Sequence, residues 1–136
     1  MKRREYNSYM KKVILGLAGE MVSGKGTASE YFETKHGAVT YRFSTIIRDI
    51  FKRLHLKEER SDMHKVSRFL RKEFGDDVIA KAIFEDAKKD KHDVIIVDGI
   101  RHIEDVKYFR TIPEFKLCYI TAPVSVRYDR FIARKK

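Results

Sequence analysis

The fold is decided by residues 13–27, which read VILGLAGEMVSGKGT. The stretch opens with an apolar run, VILGLA, which is typical of a parallel strand buried on both faces. A loop from Gly19 to Gly24 follows, Lys25 comes next, and a helical pattern begins directly after it. This order of strand, G-x-x-x-x-G-K loop and helix indicates a phosphate-binding loop. The alternative is an ordinary glycine-rich turn between a strand and a helix.

The loop has the residue types that a triphosphate tail requires. Glycines let the backbone curl so that N–H groups point inward, and the helix dipole adds positive charge. Lys25 adds a point charge for the outer phosphates. A Ser or Thr usually follows this lysine and reaches Mg²⁺; here Gly26 intervenes, so it stays open whether Thr27 contacts the metal directly. The predicted nucleotide-binding residues are Gly19, Glu20, Met21, Val22, Ser23, Gly24, Lys25, Gly26 and Thr27.

The charge of the chain favours phosphate-bearing ligands. Its 30 Lys and Arg exceed its 20 Asp and Glu, which gives a net charge of +10, and such an excess attracts phosphate. The phosphate loop favours small ligands over nucleic acid, although the basic residues 1–11 could contact nucleic acid non-specifically. The single Cys118 indicates a core thiol in a reducing cytoplasm. No apolar run approaches about 18 residues, so we expect no membrane span.

Strand and helix patterns alternate along residues 12–136, which we expect to form one domain behind a flexible basic arm at residues 1–11. The predicted strands are residues 13–18, 38–43, 94–98 and 115–121. The predicted helices are residues 24 to about 34–36, 44–54, 62–74, 77–88, 103–110 and 123–134. The alternation predicts a three-layer α/β fold, in which helices cover both faces of a parallel sheet. We expect the ligand to bind at the carboxyl ends of the strands.

Helix ends and faces are also predicted from residue types. Gly37 is a plausible C-terminal cap, and Pro123 fits the first turn of the last helix. The expected N-caps are Ser44, Ser61 or Asp62, and Asp76 or Asp77. The expected apolar stripe of the third helix is Met63, Val66, Phe69 and Leu70.

Asp98 closes the apolar strand at residues 94–98. A carboxylate at the end of a strand in the same sheet as a phosphate loop commonly orients Mg²⁺. It can act through a metal-bound water, because Mg²⁺ keeps several waters. The alternative is that Asp98 only caps the turn that follows. The predicted metal residues are therefore Thr27 and Asp98.

The G-K-G-T order at residues 24–27 and the D-G-I-R segment at 98–101 resemble the P-loop nucleoside monophosphate kinase superfamily, which includes adenylate kinase. Residues 68–78 and VIIVDGIRHIEDVKYFR at 94–110 are similar to dephospho-CoA kinase-like and deoxynucleoside monophosphate kinase-like proteins. The resemblance implies a P-loop NTPase-type sheet of strand order 2-3-1-4, with ATP and Mg²⁺ as cofactors. In the family a lid and a fifth strand follow, so we expect this chain to be cut short at the lid.

The resemblance also implies roles for five arginines. Arg101 of the D-G-x-R segment would grip the phosphate of the acceptor, as the planar guanidinium suits phosphate. Arg48 matches an acceptor-binding arginine, with one spacer residue fewer than in the family, and Arg42 is a nearby substitute. Arg130 would lie over the base, and Arg134 would reach the phosphates. The alternative for each is an arginine on a solvated surface.

Together these features predict an enzyme that transfers the γ-phosphoryl group of Mg-ATP to a small phosphorylated acceptor. Lys25, Mg²⁺ and the arginines would align the reactants and neutralise charge, with no general base unless the acceptor is an alcohol. Transfer to a ribose hydroxyl, as in dephospho-CoA kinase, and a non-catalytic nucleotide-binding or regulatory module remain open. Three basic residues on one predicted helix either select an acidic acceptor or solvate that face, namely Arg68, Arg71 and Lys72.

Overall fold

A parallel sheet of four strands forms the centre of the computed structural model, which describes residues 12–135. The strands are β1 (Val13–Ala18), β2 (Val39–Arg42), β3 (Val94–Asp98) and β4 (Phe115–Tyr119). Their order is β2-β3-β1-β4, and every pair is parallel. This confirms the predicted α/β fold and strand order. The predicted arm at residues 1–11 lies outside the described residues.

Helices connect the strands. Within the described residues the α-helices are α1 (Lys25–His36), α2 (Phe43–Arg53), α3 (Arg60–Phe74), α4 (Val78–Lys89) and α5 (Val124–Lys135). Two 3₁₀ helices, Ile103–Val106 and Phe109–Thr111, stand where a single helix over residues 103–110 was predicted. None of the helices within residues 12–135 has the length and apolar character that crossing a membrane requires.

Both faces of the sheet are covered, which is why β3 has no polar residue before its last position. Ile95 and Val97 pack in the larger cluster, with buried residues of α2, α4 and the 3₁₀ helices. Val94 and Ile96 point to the opposite face, where Ala28 and Phe32 of α1 pack. Successive strand residues alternate between faces, so a strand covered on both sides needs an unbroken apolar run. Cys118 is half-buried and packs on the α1 side.

Two predicted N-caps are wrong. The cap of α2 is Arg42 rather than Ser44, because β2 runs directly into the helix and Phe43 is already buried in the core. The cap of α3 is Glu59 rather than Ser61 or Asp62. The backbone carbonyl of Glu59 accepts the N–H groups of residues 62 and 63, so the helix begins before the side chains that were expected to start it.

Other local predictions hold in part. Gly37 does end α1 with φ 63°, and its N–H donates to Phe32 O. Asp77 is the N-cap of α4, although its side chain makes no capping bond. Pro123 precedes α5 instead of lying in its first turn. Phe69 is 57% exposed, so it is not part of the apolar stripe of α3 that packs on the core.

Candidate nucleotide-binding site

The loop between β1 and α1 starts from the middle of the sheet, because β1 lies between β3 and β4. Its backbone needs glycine at both ends: φ is +148° at Gly19 and +115° at Gly24. A Cβ on Gly19 would lie 2.1 Å from the carbonyl oxygen of Ile120, at the end of the neighbouring strand. Such values of φ suit glycine, and the close approach excludes any side chain. The loop is therefore shaped by its backbone.

Lys25 is the first residue of α1, and its side chain turns back across the loop. Its Nζ donates hydrogen bonds to the carbonyl oxygens of Gly19, at 2.8 Å, and Glu20, at 2.9 Å. The ammonium group is thereby fixed at the loop that α1 follows. A phosphate oxygen in this place would be a stronger acceptor for the ammonium than a neutral carbonyl.

Three buried polar side-chain atoms in the described part of the chain lack a hydrogen-bond partner: Glu20 Oε2, Ser23 Oγ and Ser29 Oγ. Two belong to the loop, and Ser29 is one turn into α1. Buried polar groups are normally paired, and of these atoms the loop hydroxyl of Ser23 is the one that could donate to a phosphate oxygen. The burial of Ser29 could not be predicted from the sequence, since it depends on how α1 packs.

Glu20 brings a negative charge to the loop. Its own backbone N–H and the Tyr119 hydroxyl are the main causes that hold the pKa of Glu20 below its usual value, and Arg127 and Lys25 act in the same direction. The carboxylate is therefore ionised at neutral pH. Arg127, on the first turns of α5, also donates from Nε to Ala122 O at 3.1 Å.

Asp98 lies next to the strand that leads into the loop. In the sheet register it is opposite Leu17, two residues before Gly19. Its Oδ1 accepts the N–H of Gly99 at 2.8 Å, and its Oδ2 lies 3.6 Å from Nε of Arg42 on β2. One oxygen thus shapes the following turn, as the simpler interpretation expects, while the other forms an ion pair at the carboxyl edge of the sheet.

Residues that could hold Mg²⁺ are few. Thr27 is exposed in the first turn of α1, and the side chain of Asp98 is 16% exposed. Between residues 12 and 135 there is no group of three or more His, Cys, Asp or Glu side chains able to hold a metal ion. A hydroxyl and one carboxylate suit a magnesium ion that keeps waters and takes its other ligands from nucleotide phosphates. The donor set fits that ion, which would arrive with the nucleotide.

The predicted arginines lie in different surroundings. Arg130 on α5 donates from Nη1 to the loop carbonyl of Val22 at 3.1 Å, although 108 residues separate the two in sequence. Arg134 is exposed one turn further along α5. Arg48 on α2 places its Nε 3.5 Å from Glu58 Oε2.

Arg101 follows Asp98 and Gly99 and is exposed. Its backbone N–H donates to Asp105 Oδ2 at 2.9 Å, and the N–H of His102 donates to the same oxygen at 3.0 Å. Asp105 is only 1% exposed and pairs with Arg71. Asp105 was not among the residues predicted from the sequence. The available signal was an acid three residues after His102, in the spacing of a helix capping box.

The first strand is followed by a glycine-rich loop and by a lysine that hydrogen bonds hold at that loop. Together with the strand order β2-β3-β1-β4, these features define the class of P-loop nucleotide-binding domains. The comparison with protein families agrees with this class. The chain belongs to the AAA domain family, whose model matches residues 15–136.

Archaeal relatives add a second family. A UPF0200 protein of Methanoregula boonei is 30% identical over 124 residues, which cover 90% of this chain and 68% of that protein, and the chain belongs to this family. A UPF0200/UPF0201 protein of Archaeoglobus fulgidus is 31% identical over 127 residues, covering 90% of this chain and 39% of that protein. A UPF0200 protein of Hyperthermus butylicus is 25% identical over 123 residues, and the chain spans 66% of its length. These names state no activity.

Solved structures support the fold. TT1252 from Thermus thermophilus has a TM-score of 0.59 at 13% identity, with 91% of this chain and 73% of that chain covered. Shikimate kinase from Acinetobacter baumannii, in complex with shikimate, has a TM-score of 0.55 at 14% identity, with 95% and 67% covered. At these identities the likeness concerns the fold alone.

Proposed function

We propose that this protein is an ATP-dependent phosphotransferase that moves the γ-phosphoryl group of Mg-ATP to a small phosphorylated acceptor, such as a nucleoside or deoxynucleoside monophosphate. The observation that carries the proposal is the meeting of three elements at one loop. Lys25 of α1 and Arg130 of α5 both bond to loop carbonyls, and Asp98 of β3 lies beside the strand that leads into the loop. Phosphoryl transfer depends on such positioning and charge neutralisation.

The proposed roles follow from chemistry and placement. Lys25 and the N–H groups of the loop bind the outer phosphates of ATP, and Arg130 adds a second positive charge at the same loop. Thr27 and Asp98 would hold Mg²⁺ directly or through water, and the ion would neutralise further phosphate charge. Arg101 grips the phosphate of the acceptor with its planar group of donors.

The remaining predicted residues complete the acceptor side in this proposal. Arg42 is already near Asp98, and release from that carboxylate would free its guanidinium for an acceptor phosphate. Arg48 needs a similar exchange from Glu58, where both partners are about half exposed and the pair is therefore weak. Arg134 lies four residues after Arg130 on α5 and therefore on the same helix face, and we assign it to the phosphates.

A hydroxyl acceptor is the second candidate, and Asp98 is the observation that favours it. Transfer to an alcohol, such as the ribose hydroxyl of a dephospho-CoA-type acceptor, requires a general base. Asp98 supplies a carboxylate at the carboxyl edge of the sheet, with one oxygen engaged only in a 3.6 Å ion pair. A phosphate acceptor needs no such base, so Asp98→Asn would stop transfer to a hydroxyl more completely than transfer to a phosphate.

The test is acceptor-dependent release of ADP from Mg-ATP. Nucleoside monophosphates, deoxynucleoside monophosphates and dephospho-CoA are each supplied to the full chain in a coupled assay. Lys25→Met is expected to abolish ATP binding or turnover, because the loop loses its fixed positive charge. Retained full activity would refute the assigned site, and no release with any acceptor would favour a nucleotide-binding module.

Arg101→Ala separates the acceptor from the nucleotide. The expected result is a rise in KM for the acceptor of roughly tenfold or more, with KM for ATP little changed, since a charged hydrogen bond is worth about 1.5–3 kcal/mol. Arg110→Ala is the matched control, because Arg110 is also exposed but lies on the second 3₁₀ helix, before β4 begins. A fall in ATP affinity alone would contradict the role given to Arg101.

A further inference from the structure

A buried ion pair joins α3 to the segment that follows β3. Both terminal nitrogens of Arg71 lie 3.3 Å from Asp105 Oδ1, and Nη1 of Arg71 also donates to Asp76 O at 2.7 Å. The Asp105 side chain is 1% exposed and that of Arg71 is 20% exposed. A carboxylate so buried needs a paired charge and hydrogen bonds to both oxygens. Here it has them.

The second oxygen of Asp105 fixes a backbone segment. Asp105 Oδ2 accepts the N–H groups of Arg101 and His102, so the backbone that carries both side chains is held in one conformation. The segment starts from Gly99, whose φ of +94° lets the chain turn sharply after β3. Arg71 and the backbone N–H of Arg101 therefore bond to the same carboxylate, one at each oxygen.

An open cleft of about 470 Å³ lies where these elements meet. This size is within the range of small-molecule sites. Arg68 and Lys72 are four residues apart on α3, so they lie on one face of that helix. The residues that line the cleft are Arg68, Arg71, Lys72, Asp76, His102 and Glu104.

The charges around the cleft suit a ligand of mixed character. Arg71 is offset by Asp105, which leaves Arg68 and Lys72 as the charged donors for an anionic group. Asp76 and Glu104 are acceptors, and they suit hydroxyl or amino groups on the same ligand. A purely anionic ligand would leave these two carboxylates facing like charge.

We infer that this cleft binds a phosphorylated acceptor that also carries hydroxyl or amino groups, and that Arg71 and Asp105 are positioning residues that join its walls and orient Arg101. The inference rests on the proposed function, because only a phosphotransferase has an acceptor. Binding in the cleft can be measured without turnover, so the two can fail separately.

The first experiment uses adenosine monophosphate as the probe, because it carries a phosphate together with hydroxyl and amino groups. The ¹⁵N-labelled full chain and its Lys25→Met variant are titrated at constant ionic strength, and the backbone amides of Arg101 and His102 are followed by NMR. Saturable shifts are expected in both proteins, because Lys25→Met removes only the site in the loop. The double variant Arg68→Ala/Lys72→Ala is expected to weaken this binding by about fivefold or more.

The matched control is Lys88→Ala/Lys89→Ala, which removes two positive charges from the last turn of α4, on the side where β3 begins. It should leave binding in the cleft nearly unchanged. The inference of a binding cleft is overturned if the amides of Arg101 and His102 do not shift. It is also overturned if the control and Arg68→Ala/Lys72→Ala weaken binding equally, since the effect would then come from net charge.

The second experiment tests positioning. Arg71→Met is expected to raise KM for a nucleoside monophosphate acceptor roughly tenfold while KM for ATP changes less than about twofold, and Arg71→Lys should recover part of the loss. Asp105→Asn should resemble Arg71→Met. If Asp105→Asn does not fold, the same titration of Arg71→Met decides: unchanged shifts at Arg101 and His102 would refute the positioning role. Failure of turnover with every acceptor would refute the proposed function but leave the titration result standing.

Discussion

Gly19→Ala is the sharpest test of the phosphate loop, because the structure fixes its cost. The added Cβ would lie 2.1 Å from Ile120 O, closer than real Cβ contacts come, so the two must separate by about 1 Å. Ile120 N donates to Ala18 O at 2.8 Å, and this bond joins the last residue of β1, directly before the loop, to the residue that follows β4. Separation therefore strains the hydrogen bond at the base of the loop.

The magnitude is a sum of two parts. A φ of +148° is unfavourable for any residue with a Cβ, at a cost of about 1–3 kcal/mol. Loss of the hydrogen bond between Ile120 and Ala18 adds about 1 kcal/mol. We expect a total of about 2–4 kcal/mol, which corresponds to roughly one and a half to three powers of ten in an equilibrium constant. The loss is divided between the free energy of unfolding and the affinity for ATP.

The assay measures both quantities. Urea unfolding gives the stability of the free protein, and calorimetric titration with Mg-ATP gives the affinity. Gly37→Ala is the matched control, because Gly37 also has a positive φ, a Cβ there meets nothing within 4 Å, and the residue lies at the opposite end of α1 from the loop. It should lower the free energy of unfolding by about 1–2 kcal/mol and keep ATP affinity. The reasoning is refuted if Gly19→Ala changes neither quantity by more than about 0.5 kcal/mol.

Two further predictions concern charge. Glu20→Gln should tighten ATP binding about threefold or more at low salt, because an ionised carboxylate beside the loop repels phosphate; affinity unchanged in calorimetry at low salt would exclude this. Tyr41→Phe removes the hydroxyl that donates to Asp90 at 2.5 Å. The pKa of Asp90 is lowered from 3.8 to about 2, since hydrogen bonds from Tyr41 and His92 outweigh burial, which raises it. This stability is present above pH 3.8 and is lost as the pH falls toward 2. Tyr41→Phe should therefore lower the free energy of unfolding by about 1–2 kcal/mol at pH 7 and by less near pH 2. If urea unfolding shows the same loss at both pH values, this prediction is contradicted.

The parts of the fold that the sequence predicted well are those where one residue pattern has one physical explanation. β1 and β3 match their predicted bounds because both lie in the centre of the sheet and are covered on both faces. A two-sided environment requires an apolar residue at nearly every position, and the run ends where the cover ends. The edge strands β2 and β4 are shorter than predicted, because apolar residues beyond their ends serve other contacts.

The N-cap of α2 shows why such ends were wrong. In the sequence, Phe43 continues the alternating pattern of β2. In the structure it is the first residue of α2 and is only 7% exposed. Burial of a phenylalanine is worth about 2–3 kcal/mol, more than the roughly 1 kcal/mol that a serine cap supplies, so the helix begins where Phe43 packs best. Sequence alone contains both preferences but not their geometry.

The candidate site likewise has a part that could be predicted from the sequence and a part that could not. The loop is contiguous in sequence, so its pattern could be recognised. The resemblance implied that Arg130 lies over the base, but it did not suggest the contact between Arg130 and Val22, which spans 108 residues. Asp105 and Arg71 are 34 residues apart, and neither residue type nor spacing relates them. The functional roles of the arginines stay predictions, because placement near a loop does not by itself measure binding.

The bonds of Lys25 determine how the Lys25→Met variant has to be interpreted. In the free loop its ammonium group satisfies two carbonyls, those of Gly19 and Glu20. Replacement by methionine thus removes a charge that phosphate would meet, and also leaves both loop carbonyls without their donor, which affects the protein before any nucleotide is present. If the lysine only stabilised the protein, the affinity for ATP would change little as long as the variant stays folded, because ATP binds the folded state. A loss of affinity measured in the folded variant is therefore the part that reports contact between the lysine and phosphate.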